Sequence, residues 1–575
     1  MTSSVWKVKE NGDPNQIKHL SGSLGVGISL ANILTQRGIT SPQEARQFFN
    51  PKLKDLHDPF LMKDMDKAVE RINKAINNQE KIMIYGDYDV DGTTSVAMVY
   101  SFLKKYIDDI EYYIPDRYSE GYGISGKSID YAAQKGISLI IALDCGIKAI
   151  KKIDKANGLG VDFIICDHHN PDAEIPKAVA VLDPKRPDCD YPFKELSGCG
   201  VGFKLLQAIS KKRKIHYREV LELLDLLVVS IAADIVPIVD ENRVFTYHGL
   251  RKLNADPCMG LKTIMANSKM TGEITVNDIV FKIGPRLNAS GRIEHGKKSV
   301  KILVADDSDR STALGEEIDS FNEIRKTLDR DITQYALDFV NNDHELVNKK
   351  STVLYNRDWH KGVVGIVASR LTEHFNRPTV ILTESNGLAT GSARSVGEFD
   401  LYEAISSCSH LLESYGGHKH AAGLTLKLEN IQPFTKMFEE LVQESSQQTS
   451  QNVTIDIDSK LQLSDITPAF YRSLKKFAPF GPGNMKPTFI TEGLLDGGSS
   501  RLVGKEDDLK HLKLDLFDPY SGVRIPAIAF NQAEHFPDIA EGIPFDICYQ
   551  IFENEYRGRV SLQLFIIDIK VRSDL

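Results

Sequence analysis

Four short apolar runs in this chain each end in acid or imidazole, and that placement constrains the fold more than any other feature. Lys81–Tyr85 precedes Asp87, Asp89 and Asp91, and Ser138–Leu143 precedes Asp144. Val161–Cys166 precedes Asp167, His168 and His169, and Ala178–Leu182 precedes Asp183. Short runs rich in β-branched residues, flanked by glycine and helical patterns, predict buried parallel strands. In an open α/β sheet the ligand crevice lies just beyond the carboxyl ends of the strands. Side chains far apart in sequence are therefore expected to converge there. So many anions can share a crevice only if cations neutralise them, and divalent metal ions are the simplest cations.

At 575 residues the chain exceeds one hydrophobic core and is expected to divide into about three or four domains. Its 42% hydrophobic and 26% charged content suits a soluble protein. No basic-then-apolar start suggests a signal peptide. The longest apolar stretch, Leu221–Val239, is broken by Glu222, Asp225, Asp234 and Pro237, so no membrane span is expected. Seven scattered cysteines, never spaced C-x-x-C, argue for a reducing cytoplasm and against disulfides or a zinc finger. With a net charge of −9, a nucleic-acid role would need a local basic groove.

Residues 1–60 carry helical patterns at Gly25–Arg37 and Ser41–Phe49 and are expected to form an N-terminal extension. An amphipathic helix from Asp66 leads into the first strand. Strand and helix then alternate to about residue 240, the pattern of a doubly wound, mainly parallel sheet, in a domain assigned to 61–305. Residues 205–235 read as helical, which puts Asp234 near a helix end. From Asp306 to Asn341 a charged pattern predicts a long helix, either a solvent-exposed connector (306–345) or a surface helix packed on one domain. A smaller α/β domain is expected at 346–445, with strands at Ser351–Tyr355 and Pro378–Leu382 and a helix from near Gly362. Glu439–Asn452, rich in Gln and Ser, reads as a linker. In 446–575, Leu512–Phe517, Phe545–Ile551 and Val560–Phe565 alternate in and out, which predicts a small closed β-barrel.

The loop Asp87, Asp89, Asp91, Gly92 is similar to a calcium loop, but an EF-hand needs glutamate six residues after the glycine, where Met98 stands. Carboxylates mixed with imidazole suit Mn²⁺ or Mg²⁺, with imidazole tilting toward Mn²⁺. Two such ions roughly 3.5–4 Å apart would activate water and stabilise the leaving oxygen in phosphoester hydrolysis. Each acid alone has a blander reading as a helix cap, and Asp183 before Pro184 reads as a turn residue. Their clustering favours metal.

Asp167-His168-His169, Gly86–Gly92 and Leu143–Gly146 together resemble the DHH phosphoesterase superfamily. Ser197–Lys204, Ala233–Pro237 and Gly284–Arg292 resemble its RecJ branch, exonucleases specific for single-stranded DNA. The resemblance implies Asp89, Asp91, Asp144, His168 and Asp234 as ligands of two Mn²⁺ or Mg²⁺ ions. Asp87 and His169 would lie beside them, as ligand or proton-handling groups. Tyr85 stands where other branches carry a liganding histidine, which leaves that position to Asp87 or to water. His168, His169, Asp144, Arg286 and Arg292 are the implied catalytic groups.

Glycine-rich turns with neighbouring arginine suit phosphate, because bare N–H groups approach it and arginine binds it bidentately. Arg286 and Arg292 flank Asn288, Ala289 and Gly291; Gly391–Ser395 holds Ser392 and Arg394; Gly416–Gly423 follows a helical pattern. Taken singly, each also reads as a tight turn with a surface arginine. The last two resemble the DHH-associated substrate domain, with Gly416, Gly417 and His418 facing the metals. Arg117 and Tyr122 resemble the family's pocket for the 5′ end, arginine holding the terminal phosphate and tyrosine stacking a base, with Ser392 and Arg394 joining from the other domain. The C-terminal barrel resembles an oligonucleotide-binding (OB) fold, preceded by Pro479–Asn484.

Gly121–Ser128 matches the Walker A pattern, yet Pro115–Glu120 separates it from the candidate strand Ile110–Ile114, whereas a P-loop abuts its strand. The expected function is therefore metal-dependent 5′-to-3′ exonucleolysis of single-stranded DNA to mononucleotides, in DNA repair and recombination. Direction and product follow from the resemblance. The alternatives are a phosphodiesterase of cyclic dinucleotides or short oligonucleotides, and a non-catalytic RecJ-like replication scaffold. Implied partners are single-stranded DNA, a single-strand-binding protein and a RecQ-type helicase.

Overall fold

The apolar runs form a five-stranded, all-parallel sheet in the order Ile110–Tyr113, Ile82–Gly86, Leu139–Leu143, Asp162–Cys166, Ala180–Leu182. Its register is level: Gly86 pairs with Leu143, Leu143 with Cys166, and Cys166 with Leu182. The residues that follow these strands therefore emerge along one edge. Helices cover both faces, as a buried parallel sheet requires. Met83, Tyr85, Ile140, Ala142, Phe163 and Ile165 share a core with helices Gly126–Gln134 and Ile150–Gly158. Helices Val90–Leu103 and Gly198–Arg213 pack on the opposite face.

The coordinates are a computed structural model that describes residues 4–446, 454–505, 508–556 and 558–572. They divide into two units: His57–Val236 with His248–Gln451, and Met1–Leu56 with Pro237–Tyr247 and Asn452–Leu575. In the first unit, strand–helix alternation stops at Leu182 rather than continuing to residue 240. Helices Gly198–Arg213, Arg218–Leu221 and Leu224–Ala233 follow, and Asp234 is the C-cap of the third. Leu224–Ala232 is buried throughout, a mostly apolar helix as the helical reading of 205–235 expects.

Helix Ser308–Asn341 starts at the N-cap Asp307, whose side chain accepts from Arg310 N at 2.7 Å. One stripe of it is buried, including Ser311, Gly315, Ile318, Ile332, Ala336 and Val340. Its first half packs on helix Met259–Asn267, where Thr263 and Ser311 hydroxyls lie 2.7 Å apart. Its second half packs on helix Val364–Phe375, where Arg370 donates to Asp329 at 2.8 Å. It is thus a strut seated at both ends, with its outer face in solvent.

The second sheet runs Leu412–His418, Ala421–Leu426, Leu388–Arg394, Thr379–Ser385, Thr352–Tyr355. Only the last pair is parallel. The expected linker begins instead as helix Ile431–Ser446; residues 447–452 lie outside the described residues. Phe434, Phe438 and Val442 recur at four-residue spacing and enter this sheet's core, which overrides the polar composition.

In the second unit a seven-stranded sheet is built from Phe489–Asp496, Arg501–Lys505, Asp508–Phe517, Arg524–Ala529, Phe545–Tyr556, Arg559–Val571 and the short Ser459–Lys460. Phe489–Asp496 pairs both with Phe545–Tyr556 and, at Leu495 and Asp496, with Asp508–Phe517. Strand Val5–Val8 pairs in parallel with Thr454–Ile457. Leu20, Leu30, Leu34 and Ala45 share a core with Leu474, Phe477 and Phe489. All seven cysteines are free thiols. Among the described residues no helix is long and apolar enough to cross a membrane.

Ile141, fully buried in the central parallel strand, is the test of this core. Ile141→Ala should lower the unfolding free energy by about 2–5 kcal/mol, read as a reduced urea midpoint by far-ultraviolet circular dichroism.

Candidate metal centre and strand-binding surfaces

The first acidic loop leaves strand Ile82–Gly86 and enters helix Val90–Leu103, with Asp89 as N-cap accepting from Gly92 N at 3.0 Å. Asp91, in the first turn, points across to the start of helix Gly198–Arg213. Gly198 N donates to it at 2.7 Å, Cys199 N at 2.9 Å and the Ser230 hydroxyl at 2.7 Å. A helix N-terminus favours a carboxylate by its unpaired N–H groups and its dipole. Only glycine fits at 198, since a Cβ there would lie 2.6 Å from the Asp144 Cβ.

Asp144 directly follows strand Leu139–Leu143 with φ of 58°, a conformation non-glycine residues seldom adopt. Asp167 follows strand Asp162–Cys166 and accepts from the backbone N–H of Ile147 at 2.8 Å and of His168 at 2.8 Å. Its Oδ1 also lies 2.7 Å from His169 Nδ1, which turns His169 Nε2 toward the Tyr122 hydroxyl at 3.2 Å. Burial alone would raise Asp167, but the bonds and charges of His169, His168 and Ile147 hold it well below the usual carboxylate range. The same carboxylate lifts His169 to about 9 against the lowering effect of burial.

His168 is buried, and among the described residues neither ring nitrogen has a hydrogen-bond partner. Its Nε2 lies 3.2 Å from Asp144 Oδ1, 3.6 Å from Asp234 Oδ2 and 3.8 Å from Asp91 Oδ2. Asp87 is fully buried with its Oδ2 unpartnered. Burial, then the charges of Asp91, Asp89 and Asp234, push Asp144 far above its ordinary value. Burial followed by Asp91 and Asp89 does the same to Asp234, and burial followed by Asp89 to Asp87. Lone pairs converging on one orphaned imidazole fit a divalent cation, and bound positive charge would offset the repulsion among them. Among the described residues two overlapping groups have ligand-atom geometry for an ion: Asp144, His168 and His169, and Asp91, His168 and Asp234. Asp183 serves as a turn residue, accepting from Lys185 N at 2.8 Å.

In the same unit lies a cluster of guanidinium groups. Arg117 stacks 3.9 Å above the Tyr88 ring and donates through Nε to the Gly291 carbonyl at 2.9 Å. Arg292 donates to the Gly362 carbonyl at 2.9 Å. Burial, then the charges of Arg117, Arg325 and Arg394, brings Arg292 down to about 10. Like charges gathered this way suit an anion held between them. Arg394 donates to the Ser392 hydroxyl at 2.8 Å, and both side chains lie against Gly365 in the first turn of helix Val364–Phe375.

The local shapes differ from those expected. Ser392 and Arg394 sit on strand Leu388–Arg394, not in a turn. Arg286, Asn288 and Arg292 sit on helix Gly284–Ile293. Gly416, Gly417 and His418 belong to a hairpin with Ala421–Leu426, where a Cβ on Gly417 would meet the Ala421 carbonyl at 2.3 Å. Arg286 is drawn aside to Asp319, at 2.7 Å. His418 lies near enough to Arg394 and His169 that their charges, after burial and His420, lower it. Asn322 and Arg325 escaped the sequence reading. Both lie on the long helix, whose charged pattern reads as a solvated face, yet Asn322 Nδ2 is buried and unpartnered.

The second unit carries a separate aromatic row. His511 and Phe530 rings are 5.0 Å apart, Phe530 and Phe565 5.5 Å, and Phe565 and Phe552 5.9 Å. Phe530, Phe552 and Phe565 are 47%, 38% and 38% exposed, and Lys486 lies over the Phe552 ring.

Family models match along the chain: the DHH family N-terminal domain at residues 81–231, the DHHA1 domain at 348–444 and the RecJ OB domain at 457–568. The single-stranded-DNA-specific exonuclease RecJ of Bacillus subtilis is 36% identical over 569 residues, covering 98% of this chain and 71% of that protein. RecJ of Escherichia coli is 31% identical over 564 residues, covering 94% and 95%. The crystal structure of Thermus thermophilus RecJ in complex with Mn²⁺ superimposes with a TM-score of 0.85 at 27% identity, covering 99% of this chain and 80% of that one. A Mg²⁺ complex of the same protein gives 0.79 at 26% identity, covering 99% and 79%. Cage, guanidinium cluster and three family matches in chain order agree, and the chain belongs to the RecJ family of DHH proteins.

Proposed function

We propose that this chain hydrolyses single-stranded DNA from its 5′ end to mononucleotides, in DNA repair and recombination. The observation that carries the reading is the buried, unpartnered His168 inside a ring of carboxylates, in one unit with four neighbouring arginines. The proposed ligands are Asp89, Asp91, Asp144, His168 and Asp234, with Asp87 adjoining. Two Mn²⁺ or Mg²⁺ ions held there supply Lewis-acid activation of water and of the phosphoryl oxygens.

The chain's own groups do the rest. Gly198, Cys199 and Ser230 fix Asp91, so its orientation needs no reorganisation when substrate arrives. Asp167 holds His169 by Nδ1 and leaves Nε2 as the atom that gives or takes a proton. Arg117, Ser392 and Arg394 are proposed to hold the terminal phosphate, with Tyr122, Asn288, Gly416, Gly417 and His418 bounding the strand. Arg292 positions that pocket through Gly362, and Arg286 acts from the helix edge beside Asp319. The aromatic row is proposed to stack bases without regard to sequence. The RecJ OB match and the intact acids weigh against a cyclic-dinucleotide phosphodiesterase or an inert scaffold. A cytoplasmic location, a single-strand-binding protein and a RecQ-type helicase complete the proposal.

Asp144→Ala should reduce cleavage of a labelled single strand to background while strand binding by fluorescence anisotropy stays within about threefold, since removing an essential interaction of the transition state need not alter ground-state binding. Mn²⁺ near 100 times its Kd should stabilise the parent protein by about 2.7 kcal/mol, seen as a raised thermal midpoint, and do so far less in the variant.

Arg394→Ala should erase the preference for a 5′-phosphate over a 5′-hydroxyl. One charge-assisted bond is worth about 1.5–3 kcal/mol, a loss of roughly 10- to 150-fold in kcat/KM on phosphorylated strand alone. Phe565→Ala should weaken affinity for a strand of some tens of nucleotides by about 1–3 kcal/mol, while cleavage of a trinucleotide, too short to need that surface, is unchanged.

A further inference from the structure

Two features of the sequence that the reaction leaves without a role, Tyr85 and the Walker-like segment Gly121–Ser128, meet in the structure. Tyr85, on strand Ile82–Gly86, pairs in register with Tyr113 at the end of the edge strand Ile110–Tyr113. Their rings stack with centroids 5.7 Å apart. Both hydroxyls reach the loop of residues 116–123, which carries Arg117 and Tyr122. Tyr85 donates to the Gly123 carbonyl at 2.8 Å, and the Tyr113 hydroxyl lies 3.1 Å from each carboxylate oxygen of Glu120.

Glu120 gathers the loop. It accepts from Asp116 N at 3.0 Å through Oε1 and from the Ser125 hydroxyl through Oε2. Ser125 is also the N-cap of helix Gly126–Gln134. One carboxylate therefore joins the start of the loop, the helix that follows it and the edge strand. The backbone closes on itself as well: Glu120 N donates to the Asp116 carbonyl at 2.9 Å, and Asp116 Oδ1 accepts from Ser119 N at 2.7 Å. Gly121 and Gly123, at φ of 84° and 78°, allow the two sharp turns that bring the Gly123 carbonyl back to Tyr85. In a P-loop the lysine addresses nucleotide phosphates. Here Lys127 turns back to the Ser119 carbonyl at 3.4 Å, so this segment too serves the loop.

We propose that Tyr85 and Glu120 are positioning residues: they hold loop 116–123 in the shape that presents Arg117 and Tyr122 to the 5′ end of the strand, and so set the preference for a 5′-phosphate. The inference rests on the 5′-end pocket proposed above. A pocket assembled for only a fraction of the time binds its ligand more weakly in proportion to that fraction. Each anchor lost lowers the fraction, and the cost falls on recognition of the terminal phosphate.

The test uses the full chain with Mn²⁺ and a 3′-labelled decathymidylate bearing either a 5′-phosphate or a 5′-hydroxyl. The parent should prefer the phosphate, and Arg117→Ala should abolish that preference. Tyr85→Phe and Glu120→Gln should each raise KM for the phosphorylated strand about five- to tenfold, leave kcat within about twofold and shrink the phosphate preference by the same factor as KM. Mn²⁺ affinity, from thermal-shift titration without DNA, should match the parent within about twofold in both variants, and the metal-free thermal midpoints report folding. Glu120, only partly buried, carries the test by itself if Tyr85→Phe does not fold. A parent indifferent to the 5′ group would overturn the pocket and this inference together. Where the parent does prefer the phosphate, an unchanged preference in the folded variants, a loss confined to kcat, or weakened Mn²⁺ binding would overturn this inference alone.

Discussion

Mutual repulsion among carboxylates at the end of the parallel sheet is the constraint around which this molecule is arranged. Level register brings the ends of four strands to one edge, and each strand is followed by an acid. The fold relieves the repulsion locally where it can. Asp91 rests on the N-terminus of helix Gly198–Arg213, and Asp167 is spread over backbone N–H groups and His169. Among the described residues Asp144 and Asp234 have no such relief and Asp87 only a long bond from Gly123 N at 3.4 Å, and burial followed by the charges of neighbouring acids raises all three. Asp144 also sits in a left-handed backbone conformation that costs on the order of 1–3 kcal/mol, kept because its neighbours over-determine it. A site this unfavourable when empty is one whose stability is linked to the cation it binds.

The guanidinium cluster is the electrostatic complement of that cage within the same unit. A phosphodiester is anionic and would be repelled by carboxylates, so a reaction there needs positive charge from bound ions on one side and from protein on the other. Arg117 and Arg292 come from the first sheet's side, and Arg394 from the second sheet. Gly362 allows the two to meet, since a Cβ there would lie 2.1 Å from the Arg292 carbonyl oxygen. The helix Ser308–Asn341, packed at one end on helix Met259–Asn267 and at the other on helix Val364–Phe375, holds the spacing. A 34-residue strut anchored by the Thr263–Ser311 and Asp329–Arg370 contacts resists hinge motion more than a free connector would.

Much of this was legible in the residues. The four strands and the acids after them follow from short continuous apolar runs rich in β-branched residues, buried on both faces, signals that depend only on neighbours in sequence. The identity of the family was carried by six ordered motifs. What could not be read was how segments remote in sequence pair. Val5–Val8 adds to Thr454–Ile457 across more than 400 residues, and nothing in the composition of an N-terminal helical stretch marks that partner. Glycine-rich segments with arginine were read as turns because glycine favours turns. Gly391 instead lies on a strand where a Cβ would strike the Ile381 carbonyl oxygen at 1.9 Å, so the glycine answers to close packing of backbones. Asn322 and Arg325 were hidden by the charged helix that carries them. Asp167 was visible in its motif, but its role as the group that turns His169 came only from geometry.

The two kinds of surface proposed for the strand share one property. In that proposal guanidinium groups address phosphates, and the rings of Phe530, Phe552 and Phe565, which lie in a row, address the faces of bases. Every nucleotide offers both, whatever its base, so recognition built this way is indifferent to sequence. It is not indifferent to pairing. In a duplex the base faces are already stacked on their neighbours, and exposing them costs unstacking energy of roughly 1.4 kcal/mol per step. Selectivity for single strands thus follows from using base faces at all, and needs no separate device to reject duplex. A chain that read phosphates and base faces in this proposed way would advance along any single strand, which is the behaviour an exonuclease specific for single strands requires.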